Sequence, residues 1–506
     1  MKISKHRILF LFFAVLFACI AVFSVYSCGN KSGGGDSGNT PNASDGQPGA
    51  DAGASDQIAT TAQEYIFPED MNGGGADFTF LTPTTTWFFY TDLVFADPPE
   101  EVLDDAVYKR NRLIEDKFNI NIKSVEKDIG QVQAQLKKVI AAGSNEYDAA
   151  FCPAYCTGNI GSLITSNMFY NLRDITTMNL EGSWWNQKMN KEASIGSGDK
   201  LYYAGCGINI MTLQAVSCVY FNQDMMTNLG LDLPYNLVRE GKWTFDAFQQ
   251  YMKNGTQLNG AADFKWDSAG QTIYGFCGYD DCATALLEGS GERFIVTDSS
   301  GMPHFAAENE RFMNVIGKIQ SMLTVEGEYM YANNIDAGFH YEPIFKNGRS
   351  MMTMGELKAA DVFNDMDATF GILPIPKYDE TQADYYCHLI FQTPVLVIPS
   401  SSPNPDFAGA VLDAMAYVSD RDVTPVLFDV SVSQKRLRNE DSIDMLQIIK
   451  NSGSFDVGCA YGWTNSFYDA IRSSLGYGKP LDIASAIEKY KDKINSSIDK
   501  TMQLFE

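Results

Sequence analysis

Asp77-Phe-Thr-Phe-Leu-Thr82 reads as a strand, and the pattern that follows it decides the fold. Residues Asp104 to Phe118 place Val107, Ile114 and Phe118 on one helix face. Ile120 and Ile122 alternate with polar residues, as in a second strand. Val132, Leu136, Val139 and Ile140 then fall at i, i+4, i+7 and i+8, and Gly143 is placed to stop that helix. Tyr147 to Phe151 is again a strand. Strand, helix, strand, helix, strand predicts right-handed parallel crossovers. The result is a layered α/β sheet with ligands expected beyond the carboxyl ends of its strands.

Further along, Val219-Tyr220-Phe221 is a short strand-like run. Thr244 is positioned to cap a helix with the apolar face Phe245, Phe248 and Met252, and Gly255 lies beyond its end. Val411, Leu412, Met415 and Val418 line one late helix, and Ile483, Ile487, Tyr490, Ile494 and Ile498 line another. No internal repeat is visible.

The amino terminus has a different logic. Lys2, Lys5 and Arg7 precede an apolar run from Ile8 to about Val25, the layout of a secretory signal. The run closes on Val25-Tyr-Ser-Cys28, which resembles the lipobox of bacterial lipoproteins, with Tyr26 where smaller residues are usual. The expectation is a signal peptide over 1–27 and acylation of Cys28, with several acyl chains anchoring the protein to the membrane. An uncleaved transmembrane helix is the alternative, since the run approaches the roughly 20 residues that span a bilayer. Either reading puts the folded part outside the cytoplasm, on the extracellular face of the cell membrane or in a periplasm. Residues 28–75 are rich in Gly, Ser, Asn, Asp and Ala, cannot bury enough apolar surface to fold, and are expected to be a disordered tether.

What remains, 76–506, is long enough for two large lobes. With 63 acidic against 38 basic residues the net charge is −25, which disfavours nucleic-acid binding because that requires basic patches. Of the ten cysteines, Cys19 lies in the signal and Cys28 is the lipid site. Cys152 with Cys156, and Cys277 with Cys282, are spaced to close short loops in an oxidising compartment, but they can equally stay reduced. The histidines are scattered and no Cys-x-x-Cys pair occurs, so no metal site is expected. Asn259 to Asp263 with Asp267 lacks EF-hand spacing and is expected to hold no ion.

Several stretches, in order, resemble the extracellular solute-binding proteins of ABC importers, the family-1 group that includes maltose-type binders. Val219-Tyr-Phe-Asn-Gln-Asp-Met-Met-Thr-Asn-Leu-Gly-Leu231 is similar to the family's strand, Asn-Lys-Asp, helix, Gly-Leu segment, with Gln223 in place of the usual lysine. Pro234 to Phe248, ending Trp243-Thr-Phe-Asp-Ala-Phe248, resembles its "Pro…Thr-Trp-Asp-Glu-Phe" element. Phe345-Lys-Asn-Gly-Arg-Ser-Met-Met-Thr-Met-Gly-Glu356 is similar to its "Phe-x-x-Gly-x-Ala-Met" crossover, and Gly371-Ile-Leu-Pro-Ile-Pro-Lys-Tyr378 to its "Pro-x-Pro" strand end. Asp104 to Phe118 resembles the first helix of that subgroup. The resemblance implies a periplasmic-binding-protein-like type II fold, with two α/β lobes joined by a hinge. By analogy lobe one is 76–178 with 353–392, and lobe two is 179–352 with 393–506. It also implies a monomer that closes on a small polar solute, a carbohydrate by first expectation, and hands it to a membrane permease without cofactor or catalysis.

A sugar presents flat C–H faces and many hydroxyls, so its site needs aromatic platforms beside carboxylates and amides. Four residues meet that description in expected loops or strand ends: Trp87 and Tyr155 after first-lobe strands, Glu356 after the crossover strand, and Trp463 in Ala460-Tyr-Gly-Trp-Thr-Asn465. Trp243, just before a helix start, is read as packing. Trp184-Trp185 is open between a lobe-edge contact and a hydrophobic staple. Two other classes compete: an exported carbohydrate-active enzyme, and a surface sensor or adhesion lipoprotein. No Gly-x-Ser-x-Gly or His-Glu-x-x-His motif supports the enzyme.

Overall fold

The computed structural model describes residues 65–85, 92–154, 160–334, 339–433 and 440–505. Cys28, Trp87 and Tyr155 lie outside the described residues.

The alternation that opens the folded part forms a parallel sheet. Strand Ala76–Thr84 pairs in parallel with Ile120–Asp128 on one side and with Ala149–Pro153 on the other. Helices Val102–Phe118 and Val132–Ala141 are the crossovers, burying Val107, Ile114 and Phe118, and Val132, Leu136 and Val139. The first helix ends on Asn119, left-handed at φ 49°, where the chain turns directly into the next strand. Asparagine tolerates that region better than most residues. Gly143 takes φ +65° after the second helix. The fourth strand of this sheet, Pro394–Val397, arrives from far along the chain and runs antiparallel to Ala149–Pro153.

The second sheet has five strands, in the order Phe370–Leu373, Ser217–Asn222, Ser350–Glu356, Tyr274–Gly278, Tyr329–Tyr331. The last three run parallel to one another. Ser217–Asn222 is antiparallel to both of its neighbours. Every residue of Ser217–Asn222 and Tyr274–Gly278 is buried, so these strands carry near-continuous apolar runs instead of alternation. Thr244 does cap helix Phe245–Gly255, its Oγ1 accepting from Ala247 N. Trp243 before it is buried and donates its indole N–H to Pro374 O at 2.9 Å.

Strand pairing divides the chain differently from the lobe bounds drawn by analogy. The analogy puts residues 353–392 in the first lobe and 393–506 in the second. Instead, Ser350–Glu356 and Phe370–Leu373 belong to the second sheet, and Pro394–Val397 belongs to the first. The reason is that Met354 and Ile372 pair with Val219 and Tyr220 on either side of the central strand Ser217–Asn222. The chain returns to the first sheet only after 374–393. Helices Pro405–Val418 and Thr424–Ser433 then pack on Val102–Phe118, whereas Glu440–Lys450 packs on Phe370–Leu373.

A buried arginine ties the first passage to the helices that follow Pro394–Val397. Arg110 is 1 % exposed. Its Nη1 donates to Ile208 O at 2.7 Å and to Ser419 Oγ at 3.1 Å, and its Nε and Nη2 donate to Asn111 Oδ1. Burial pulls the guanidinium down to about 10. Ser419 begins a π-helical turn, Ser419–Val423, of the kind often found where a helix is adapted to a function.

The seven cysteines described are free and buried: Cys152, Cys206, Cys218, Cys277, Cys282, Cys387 and Cys459. Cys277 and Cys282 therefore do not close a loop. Instead Cys282 Sγ accepts from Tyr279 N at 3.3 Å. Gly278 permits this, because a methyl there would stand 2.5 Å from that sulfur.

Candidate functional site

The parallel strands of the second sheet point their carboxyl ends in one direction, and the residues just past those ends form a connected group. Tyr274–Gly278 runs out into Tyr279-Asp280-Asp281, Tyr329–Tyr331 into Asn333, and Ser350–Glu356 ends on Glu356 itself. The edges of open α/β sheets that bind ligands are of this kind.

Tyr279 is the centre of one half. Its hydroxyl donates to Glu356 Oε1 at 3.0 Å, and its ring stacks on Tyr341 with centroids 5.0 Å apart. Tyr341 in turn donates to Glu342 Oε1, whose other oxygen lies 3.3 Å from His340 Nδ1. Burial lifts the Glu356 carboxyl above its ordinary value, with the Tyr279 hydroxyl pulling the other way.

Arg472 organises the other half. Its Nη2 lies 2.6 Å from Asp280 Oδ2, and its Nε donates to Asp281 Oδ1 at 2.6 Å. Asp280 also accepts from Asn333 Nδ2, and Asp281 from the Tyr468 hydroxyl. Arg472 opens a second π-helical turn, Arg472–Gly476. That turn presses on the sheet edge: Tyr329 donates to Gly476 O at 2.5 Å, and a methyl on Gly476 would stand 2.1 Å from Asp280 O. Only glycine fits there. Just beyond, Tyr477 packs against Tyr331 with centroids 4.4 Å apart and is 36 % exposed, so an aromatic face remains open to solvent.

The carboxyl edge of the first sheet contributes acids. Burial first, and then the Asp92 carboxylate, raise Glu126 above its ordinary value. Asp104, in the first turn of Val102–Phe118, is raised by burial and by Asp92 and Glu101. The cation that opposes this is Lys358, just past Glu356.

Of the four residues expected from sequence, Glu356 stands in this group. Trp463 stands elsewhere: it is 5 % exposed, stacks on Tyr461 at 4.7 Å, and donates its indole N–H to Thr501 Oγ1 on the C-terminal helix Ile483–Met502. Trp87 and Tyr155 follow the strands Ala76–Thr84 and Ala149–Pro153 in sequence and lie outside the described residues. The sequence reading did not single out Tyr279, Asp280, Asp281, Tyr331, Tyr341 or Arg472. A signal for the first three was present, since Tyr-Asp-Asp directly follows the buried run Tyr274–Gly278.

No family model and no curated protein matches the chain. Solved structures do. A cyclic α-maltosyl-1,6-maltose binding protein from Arthrobacter globiformis superposes with a TM-score of 0.56 at 11 % identity, over 84 % of this chain and 100 % of that one. An ABC substrate-binding protein from Listeria monocytogenes in complex with cycloalternan gives 0.52 at 12 %, over 84 % and 99 %. A cyclo/maltodextrin-binding protein complexed with maltotetraose gives 0.52 at 14 %, over 84 % and 96 %. These neighbours are binding proteins, not enzymes, and at such identities the likeness is one of fold. The chain is built on the two-lobed α/β fold of the periplasmic sugar-binding proteins, as its resemblance to the family-1 solute binders implied.

Proposed function

We propose that this chain is the solute-binding component of an ABC importer. In this reading it is held on the outer face of the membrane by acyl groups on Cys28, closes as a monomer on a carbohydrate, and delivers it to a permease. The observation that carries the reading is the solvent-open ring of Tyr477, packed on Tyr331 at the carboxyl ends of parallel strands, beside a polar group in which Tyr279 is bonded to Glu356 and Arg472 to Asp280. Aromatic faces match the C–H faces of a sugar, and carboxylates accept from its hydroxyls. The sugar-bound proteins that share the fold support the same reading.

The test is a thermal-shift screen of the purified protein against oligosaccharides. A bound sugar at 100 times its Kd should add about 2.7 kcal/mol to the unfolding free energy. Tyr477→Ala, at a partly exposed ring whose loss should not threaten the fold, is expected to weaken that sugar roughly tenfold or more, as loss of a stacking face should. A screen with no shift would reject the reading, and chromatography showing that a bound sugar had been cleaved would replace it with the enzyme. Fractionation tests the anchor: the parent chain should pellet with membranes and Cys28→Ala should not.

A further inference from the structure

A cavity of about 340 Å³, within the size range of small-molecule sites, shares no residue with the tyrosine and carboxylate group. Four stretches distant in sequence converge on it: helix Gln187–Ala193, the residues just past helix Cys282–Gly289, the loop before strand Cys387–His388, and the chain after Ser454. Lys188, Lys191 and Arg293 line it together with Glu192, Asp384 and Asp456, so its walls carry both signs of charge in balance. Tyr386 gathers two of the cations. The Lys188 ammonium lies 4.4 Å from the centre of its ring and the Arg293 guanidinium 4.9 Å. Burial pulls the Lys188 ammonium below its ordinary value, and Arg293 adds to this.

Part of the hydrogen-bonding capacity here is used and part is open. Arg293 is 8 % exposed, and its terminal nitrogens donate to Glu192 Oε1, to Ser454 Oγ and to backbone carbonyls. Its Nε has no acceptor among the described residues. Lys188 donates to Tyr385 O at 3.1 Å and forms no ion pair among the described residues. Glu192 Oε2 is buried and has no donor among them. Asp456, by contrast, is occupied in building the wall, accepting from the backbone N–H groups of Phe294, Ile295 and Gly458. The open groups are therefore two positively charged donors and one negatively charged acceptor, and buried polar groups of this kind call for partners. A molecule that meets all three is dipolar, with an anionic group for Lys188 and Arg293 Nε and an ammonium for Glu192. Being neutral overall, it is not repelled by a chain of charge −25, as a simple anion would be. Ile295 and Val457 supply apolar lining for a side chain.

We infer that this cavity is a second binding site, independent of the sugar reading, and that its ligand is a small α-amino acid with its carboxylate on Lys188 and Arg293 and its ammonium on Glu192. Calorimetry of the purified protein with the common L-amino acids tests this, each one that binds being compared with its carboxamide and its N-acetyl derivative. At least one amino acid should bind. Each derivative lacks one of the two charges and should bind about tenfold weaker or worse. Glu192→Gln and Lys188→Gln should each weaken the amino acid about tenfold. Lys188 is only half-buried and outside any ion pair among the described residues, so its variant should melt as the parent does. No binding by any amino acid, a derivative that binds as tightly as its parent, or binding that Lys188→Gln leaves intact would overturn the inference.

Discussion

Arg472→Ala should lower the unfolding free energy by about 3 kcal/mol and remove most of any ligand-induced stabilisation. The two effects have one cause. The guanidinium neutralises two aspartates whose side chains are only 7 % and 3 % exposed, and truncating it leaves both carboxylates buried without a counter-charge. Breaking a buried pair in this way typically costs about 3–5 kcal/mol. The lower end applies because Arg472 itself is 31 % exposed, so water can partly solvate what is left. Binding suffers separately. Arg472 holds the start of the turn that sets Gly476 against Asp280 and presents Tyr477 on Tyr331, so its loss should displace an aromatic face as well as a charge. Denaturant unfolding at constant m, with calorimetry on the surviving fold, separates the two losses. Adding Asp281→Asn to Arg472→Ala should recover part of the stability, since it removes one stranded charge, but should not recover binding. A double variant no more stable than Arg472→Ala would show that the ion pairs are not what Arg472 contributes. Arg472→Lys should fall between, because one ammonium cannot meet two carboxylates with the fork of a guanidinium.

What sequence revealed and what it hid follow from the range of the interactions involved. The first sheet was legible because each part carries its own period: 3.6 in Val102–Phe118 and Val132–Ala141, two in Ile120–Asp128, with Asn119 and Gly143 as stops. The cap at Thr244 is likewise local. Which sheet a strand joins is not local. Phe370–Leu373 and Pro394–Val397 are both short buried apolar runs, and nothing in either says that one pairs with Tyr220 and the other with Phe151. The site divides in the same way. Glu356 is legible as a candidate because it comes where a recognisable strand runs out. Tyr279, Asp280 and Asp281 also follow a strand, but the flanking Cys277 and Cys282 are the more conspicuous local signal. Arg472 was out of reach, since its partner Asp281 lies 191 residues away and a π-helical turn aims it there. Trp463 shows the opposite error, in which a Gly-Trp-Thr stretch with the composition of an exposed loop is packed beneath the C-terminal helix.

Asp413→Ala should be at least as damaging to the fold as Arg472→Ala, although it lies in none of the site's strands. Asp413 is a 3 % exposed carboxylate on helix Pro405–Val418, and its Oδ1 accepts from both indoles of the adjacent pair, Trp184 and Trp185, each at 2.9 Å. Asn179 N donates to the same oxygen at 3.2 Å. The tryptophan pair is thus two buried rings fixed by one acid. Alanine would leave two buried indole N–H groups and a backbone N–H without their acceptor. At about 1–3 kcal/mol for each of the two buried indole donors, and less for the part-buried backbone N–H, the loss should be about 3–6 kcal/mol. Asparagine makes the decisive comparison. It keeps an oxygen where Oδ1 stands and removes a charge that no lysine or arginine pairs among the described residues. Asp413→Asn should therefore stay within about 1 kcal/mol of the parent chain. The two should also diverge with pH in a defined direction. Burial raises the Asp413 carboxyl above its ordinary value, so just above about pH 4 the folded chain keeps a proton that the unfolded chain has released. Its contribution is most favourable in acid and declines as pH rises through the raised value, whereas asparagine does not titrate. Melting curves from pH 4 to neutrality should then show Asp413→Asn gaining on the parent as pH rises. Parallel curves would mean that the carboxylate is not held against its solvation, and that its accepting geometry alone secures the two tryptophans.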